Sequence, residues 1–135
     1  MNAGTVLFLL IVVAYLGFEV WAVSKVGYRM EPVYIFERFV AVDRAMTRCG
    51  QPDAAMKTDF DRNRASVRQR AERELAEQGG DTNPAMIHQT LTDALRAQEA
   101  EVDALIDAVG CDDIELFKLM KGYENRARLN LPSTN

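Results

Sequence analysis

Apolar residues are distributed along this chain in two ways. From Ala3 to Val23 they follow one another with Glu19 as the only charge, and Val6 to Phe18 carries none. Beyond Pro32 they recur instead every three or four residues, the spacing of a helix with one buried side. The first pattern, at about 20 residues, is long enough to cross a bilayer as a single helix. The second predicts a small all-α domain. Residues 1–24 are therefore read as an anchor, 25–31 as a linker, 32–127 as a helical bundle and 128–135 as a flexible tail.

Pro32 suits the first turn of a helix, where its missing N–H is not needed. From there Ile35, Phe39, Val42 and Met46 make one stripe, which Phe36 and Val40 widen, and Gly50 ends it in a position that tolerates a left-handed residue. A second helix begins near Pro52-Asp53 and ends at Gly79, with the thin apolar face Met56, Phe60, Val67, Ala71 and Leu75. Asn83-Pro84 opens a third, a capping residue followed by proline. Its seam, His88, Leu91, Leu95, Gln98, Val102, Leu105 and Val109, alternates steps of three and four as a coiled coil does, with Asp103 on the outer face. Acidic residues at Asp112-Asp113 suit the start of a fourth, whose apolar side is Ile114, Phe117, Met120 and Tyr123.

Two mirrored dipeptides frame this pattern, Cys49-Gly50 and Gly110-Cys111. Gly80, in the turn Gly79-Gly80-Asp81, lies 31 residues from each cysteine. Equal arms return both cysteines to one height, as a disulfide requires. The expected architecture is an N-terminal single transmembrane helix, then an up-down bundle of four helices around a central long hairpin, stapled by Cys49–Cys111. Closing a loop of that length is worth roughly 4 kcal/mol by loop-closure entropy. A redox switch, a metal pair or two free thiols are the alternatives.

Folding the hairpin about Gly80 pairs residues across it. Met56 meets Leu105, Phe60 meets Val102, Val67 meets Leu95 and Ala71 meets Leu91. Asn63 and Arg64 fall opposite Gln98, and Glu74 falls near His88. Two polar layers, made by Asn63, Arg64, Glu74, His88 and Gln98, would then interrupt the seam and fix its register.

Charge and composition narrow the function. A net charge of −4 argues against a general nucleic-acid binder. Arg62, Arg64, Arg68, Arg70 and Arg73 are dispersed around the second helix and interleaved with Asp and Glu, which reads as a solvated, salt-bridged surface. One histidine cannot build a zinc site or a catalytic triad alone, and the six methionines are scattered. There is no glycine-rich phosphate loop, nucleophile elbow or paired acidic motif. The expectation is a non-enzymatic module, with no cofactor, metal or small-molecule substrate, held in the inner (cytoplasmic) membrane through residues 3–23 and binding another protein.

At the membrane interface Trp21 and Tyr28 are expected to sit among headgroups, with Glu19 reaching them. A cleaved signal peptide is the rival, but Met1 to Thr5 carries no basic residue. Orientation is contested. Lys25, Arg29 and Arg38 follow the span, which favours a cytoplasmic domain, whereas a disulfide favours the periplasm. The periplasmic side is preferred. The alternatives are a cytoplasmic tether that recruits partners through the Arg-rich helix and a redox-sensing module built on the cysteine pair.

Overall fold

The computed structural model describes Glu31 and residues 33–78 and 83–132. A boundary after Glu31 separates two units, and the four helices all belong to the second. Helix α1 spans residues 33–49, α2 is Ala54–Gln78, α3 is Pro84–Val109 and α4 is Ile114–Ala127. No strand occurs among the described residues. The expected span, with Glu19, Trp21 and Tyr28, lies outside them, as does the turn at 79–82. No helix among the described residues is long and apolar enough to cross a membrane.

The helices begin where local chemistry supplies a cap. Asp53 accepts from the Met56 N–H at 2.8 Å, Asn83 from Ala85 at 3.0 Å just before Pro84, and Asp113 from Glu115 at 2.8 Å. Each satisfies a backbone donor that the first helical turn leaves unpaired. The two glycines beside the cysteines act differently from each other. Gly110, at φ 78°, takes up the left-handed backbone that closes α3. Gly50 does not, contrary to expectation. It is small for a packing reason, since a Cβ there would lie 2.2 Å from the Met46 sulfur.

Cross-helix contacts give an up-down-up-down order. On α1 and α4, Phe39 meets Arg126 and Val42 meets Gly122, so the two run antiparallel. Arg44 meets Asp103, Arg48 meets Asp107 and Cys49 meets Cys111, so α1 and α3 run parallel. The core has three parts, and α1 contributes to each. Phe39, Val42 and Met46 pack with Phe60 of α2 and Tyr123 and Ala127 of α4. Here Phe60 and Tyr123 stack with centroids 3.9 Å apart. Val33, Phe36 and Val40 pack with Ala71 and Leu91, supported by Val67, Leu75 and Leu95. Ala41 and Ala45 pack with Val102, Ile106 and Leu116. Burying one such large side chain is worth about 1.5–3 kcal/mol, so α1 is the main source of cohesion.

That role corrects the hairpin register. Val67 and Ala71 do share a core group with Leu95 and Leu91, near the turn. Toward the cysteines α1 takes the facing positions. Phe60 goes to Phe39 and Tyr123 rather than to Val102, and Met56 joins that group rather than Leu105. Two stripes are also rotated. Ile35 is 40% exposed, its place taken by Val33 and Ala41. On α4 the expected Tyr123 is buried and Met120 packs on the core, but Leu116 and Ala127 complete the buried side while Ile114 and Phe117 are 60% and 56% exposed. On α3 the outer ends of the expected seam, His88 and Val109, are exposed, and Ile106 is buried instead.

The tail is not free as far as Pro132. Leu131 packs on the aromatic group, and Ser66 donates to the Pro132 carbonyl at 3.1 Å. Asn63 holds the segment between, as its hydrogen bonds show below.

Candidate functional site

The expected polar layers do not form. Asn63 is fully buried, but it faces α4 rather than Gln98. Its side-chain amide donates to the carbonyls of Arg126 (2.8 Å), Leu129 (2.8 Å) and Ala127 (3.3 Å). Arg126 and Ala127 are the last residues of α4, where helix carbonyls run out of intrahelical donors, and Leu129 lies two residues beyond it. Arg64 pairs with Asp43 of α1. Glu74 bonds Arg70 and Gln78 on its own helix. His88 is exposed and receives a hydrogen bond from Arg68 at 3.1 Å. Gln98 donates to Glu101 at 3.1 Å. His88 alone keeps a partner on the other arm of the hairpin, Arg68 in place of Glu74; with α1 against both arms, the others find theirs on α1, on α4 or along their own helix.

Chemistry collects at the cysteine-bearing end, where α1 ends, α2 begins and α3 turns into α4. Cys49 and Cys111 are joined there, with Cα atoms 5.4 Å apart, inside the range a disulfide spans. Their surroundings differ. Cys49 is half-buried against the Ala45–Ile106–Leu116 group, while Cys111 is exposed. Close to Cys111 in the chain are the apolar side chains Val109, Ile114 and Phe117, all exposed. Ile114 and Phe117 are one turn apart on the outer side of α4.

A charged bracket lies beside the disulfide. Arg44 grips Asp103 with two hydrogen bonds of 2.8 Å. Arg48 adds a third at 2.8 Å and approaches Asp107 at 3.7 Å. Hydrogen bonds from Arg44 and then Arg48 hold the Asp103 carboxyl well below the usual carboxylate range. Asp103, assigned from its sequence position to the outer face of α3, turns instead toward α1.

On the other side of α1 an open cleft of about 610 Å³ is lined by Asp43, Gly50, Lys57, Asp61, Arg64 and Tyr123 among others. Burial pushes the Asp43 carboxyl up, more than its Arg64 partner pulls it down. Burial likewise moves the Tyr123 phenol up to about 12. Lys57 and Asp61 pair at 2.6 Å, so the two cations and two carboxylates neutralise one another. Four of the α2 arginines have carboxylate partners: Arg62 with Asp59, Arg64 with Asp43, Arg68 with Glu72 and Arg70 with Glu74. Among the described residues no group of three His, Cys, Asp or Glu side chains is placed to hold a metal ion.

Sequence periodicity misses the exposed apolar pair on α4 as a surface, because it assigns both residues to the core. The signal is present all the same: α4 is apolar on two sides, and only one side can face the bundle. No protein-family model, curated protein or solved structure matches the chain.

Proposed function

We propose that this chain is a membrane-anchored, non-enzymatic interaction module whose helical domain binds another protein through its cysteine-bearing end. The observation that carries this reading is that three large apolar side chains close together in the chain at the α3–α4 corner, Val109, Ile114 and Phe117, are all exposed. Single exposed apolar residues are ordinary, whereas several together beside a cross-link mark a surface that a partner can cover. In this reading residues 3–23 hold the chain in the inner membrane and the domain faces the periplasm, where a disulfide persists. The corner lies at the opposite end of α1 from residue 33.

The cytoplasmic tether has weaker support, because carboxylates already occupy most of the arginines it would use. Topology and contact can be tested together. A periplasm-active reporter fused after Asn135 should be active, and a photo-reactive residue at 114 or 117 should give one discrete adduct in cells. The same probe at Ala65, exposed on α2, should give none. An active cytoplasmic reporter would reverse the orientation, and equal labelling at all three positions would remove the interaction surface.

A further inference from the structure

We propose that the Cys49–Cys111 disulfide is a thiol–disulfide exchange site, attacked at Sγ of Cys111 by a dithiol protein that seats on Val109, Ile114 and Phe117. The inference deepens the interaction reading and rests on it, since it names the class of partner that covers the same corner.

Three observations converge. First, the two cysteines are unequal: Cys111 is an exposed residue on the corner, while Cys49 is half-buried against the core. An incoming thiolate reaches Cys111, and Cys49 is the leaving group. Exposed disulfides are the labile ones, and buried ones resist exchange. Second, the bond is not the only fastening at this corner. Ala41 and Ala45 pack on Val102, Ile106 and Leu116, and Arg44 and Arg48 hold Asp103. With α1 and α3 fastened in this way, opening the disulfide frees the short corner without separating the helices. Gly110 supplies the joint, at φ 78° with open space around it. Third, Val109, Ile114 and Phe117 are exposed close to Cys111 in the chain, and the exposed charges among them are mostly acidic, Asp107, Asp112 and Glu115 against Lys118. That suits a partner whose reactive cysteine lies in an apolar surface bordered by basic residues.

Atoms and electrons balance over two steps. The partner's thiolate forms a bond to Sγ of Cys111 as the Cys49–Cys111 bond breaks, and Cys49 departs as a thiolate that takes a proton. The partner's second thiolate then attacks its own sulfur in the mixed disulfide, and Cys111 leaves and is protonated. Two electrons pass from the partner dithiol to the cysteine pair, and the two protons lost by the partner's thiols are matched by those gained here. An oxidised partner runs the same steps in reverse.

The test uses the full chain, purified oxidised in detergent, with thioredoxin as the protein dithiol and dithiothreitol as the small one. Both should reduce the bond, with far-UV circular dichroism unchanged. Thioredoxin lacking its resolving cysteine should be trapped on Cys111 in peptide mapping. Ile114→Ser with Phe117→Ser should slow thioredoxin at least tenfold and leave the dithiothreitol rate within twofold. Reduction only after the helices melt, or trapping on Cys49, would overturn the exchange site. Serine substitutions that slow neither reagent, or both alike, would overturn the seat. Adducts at 114 and 117 in cells combined with an inert disulfide would leave the interaction module standing and remove this inference alone.

Discussion

Replacing Asn63 tests whether the C-terminus of α4 is held by a side chain from α2. The amide has two N–H groups facing three carbonyls, two of them at 2.8 Å. Each hydrogen bond contributes about 1 kcal/mol net, and a buried carbonyl left without a donor costs about 1–3 kcal/mol. Against this stands the Asn63 carbonyl oxygen, which is buried with no partner, so an apolar replacement recovers part of the loss. Asn63→Leu should therefore destabilise the domain by about 2 kcal/mol. Asn63→Asp should cost more at pH 7. Its carboxylate can only accept, and it would face carbonyl oxygens at the negative end of α4.

The pH dependence separates the two variants. An aspartate at this position has a folded pKa above its unfolded value, because burial and the carbonyls oppose the charge. The folded state then binds more protons, so stability is greatest below the unfolded pKa, about 4, and falls as pH rises through the folded one. Urea unfolding followed by circular dichroism at pH 4 and pH 7 should show the penalty of Asn63→Asp shrinking at the lower pH. The penalty of Asn63→Leu should be the same at both. Hydrogen exchange should accelerate first in residues 126–131. A variant Asn63→Asp as stable as the parent at pH 7, or equally destabilised at both pH values, would refute the clamp.

Asp43 and Asp103 should pull the pH profile in opposite directions. Burial raises Asp43, so its ionisation opposes folding above about pH 4, and Asp43→Asn should flatten the fall in stability there. Asp103 is lowered, so its contribution is present above the unfolded carboxylate pKa and lost as pH drops toward the folded one, and Asp103→Asn should remove that acid limb in urea melts. Gly110→Ala should cost about 1–3 kcal/mol, because φ 78° with ψ 170° is a backbone region open essentially to glycine. Gly50→Ala should cost about 1–3 kcal/mol through the clash with Met46, and Gly50→Ala with Met46→Ala should cost less than the sum of the single changes. Deleting Met1 to Ser24 should release a helical domain that elutes as a single species without detergent; helicity only in detergent would mean that α1 needs a membrane.

The sequence carried the helix boundaries well because caps and breakers are local. Asp53, Asn83 and Asp113 act within three residues of themselves, and the equal arms around Gly80 were enough to bring the two cysteines together. It carried the facing of the helices poorly. A strict three-four count on α3 runs from Val102 to Leu105 and Val109, whereas the buried line runs from Leu91 to Val102 to Ile106. A straight helix has 3.6 residues per turn, so its buried stripe drifts away from a 3.5-residue seam. On α4 the expected side, Ile114–Phe117–Met120–Tyr123, holds in its second half, whereas Leu116 and Ala127 face the bundle in place of Ile114 and Phe117.

Both kinds of error trace to α1. A helix that touches three others buries residues on several sides, so Ala41 and Ala45, which carry little hydrophobic weight, belong to the core beside Phe39. Their small side chains admit Val102, Ile106 and Leu116, and that contact turns Asp103 toward Arg44 and Arg48 rather than toward water. With α1 so placed, Phe60 is drawn to Phe39 and Tyr123, and Asn63, one turn along, meets the end of α4. The hairpin around Gly80 is thereby closed by apolar packing only near its turn. At its open end α1 fills the space, and the disulfide ties α1 to the corner where α3 and α4 meet rather than one hairpin arm to the other. The cross-link thus joins elements that packing and ion pairs also hold, and the exchange proposed above requires those contacts to keep α1 on α3 when the bond opens.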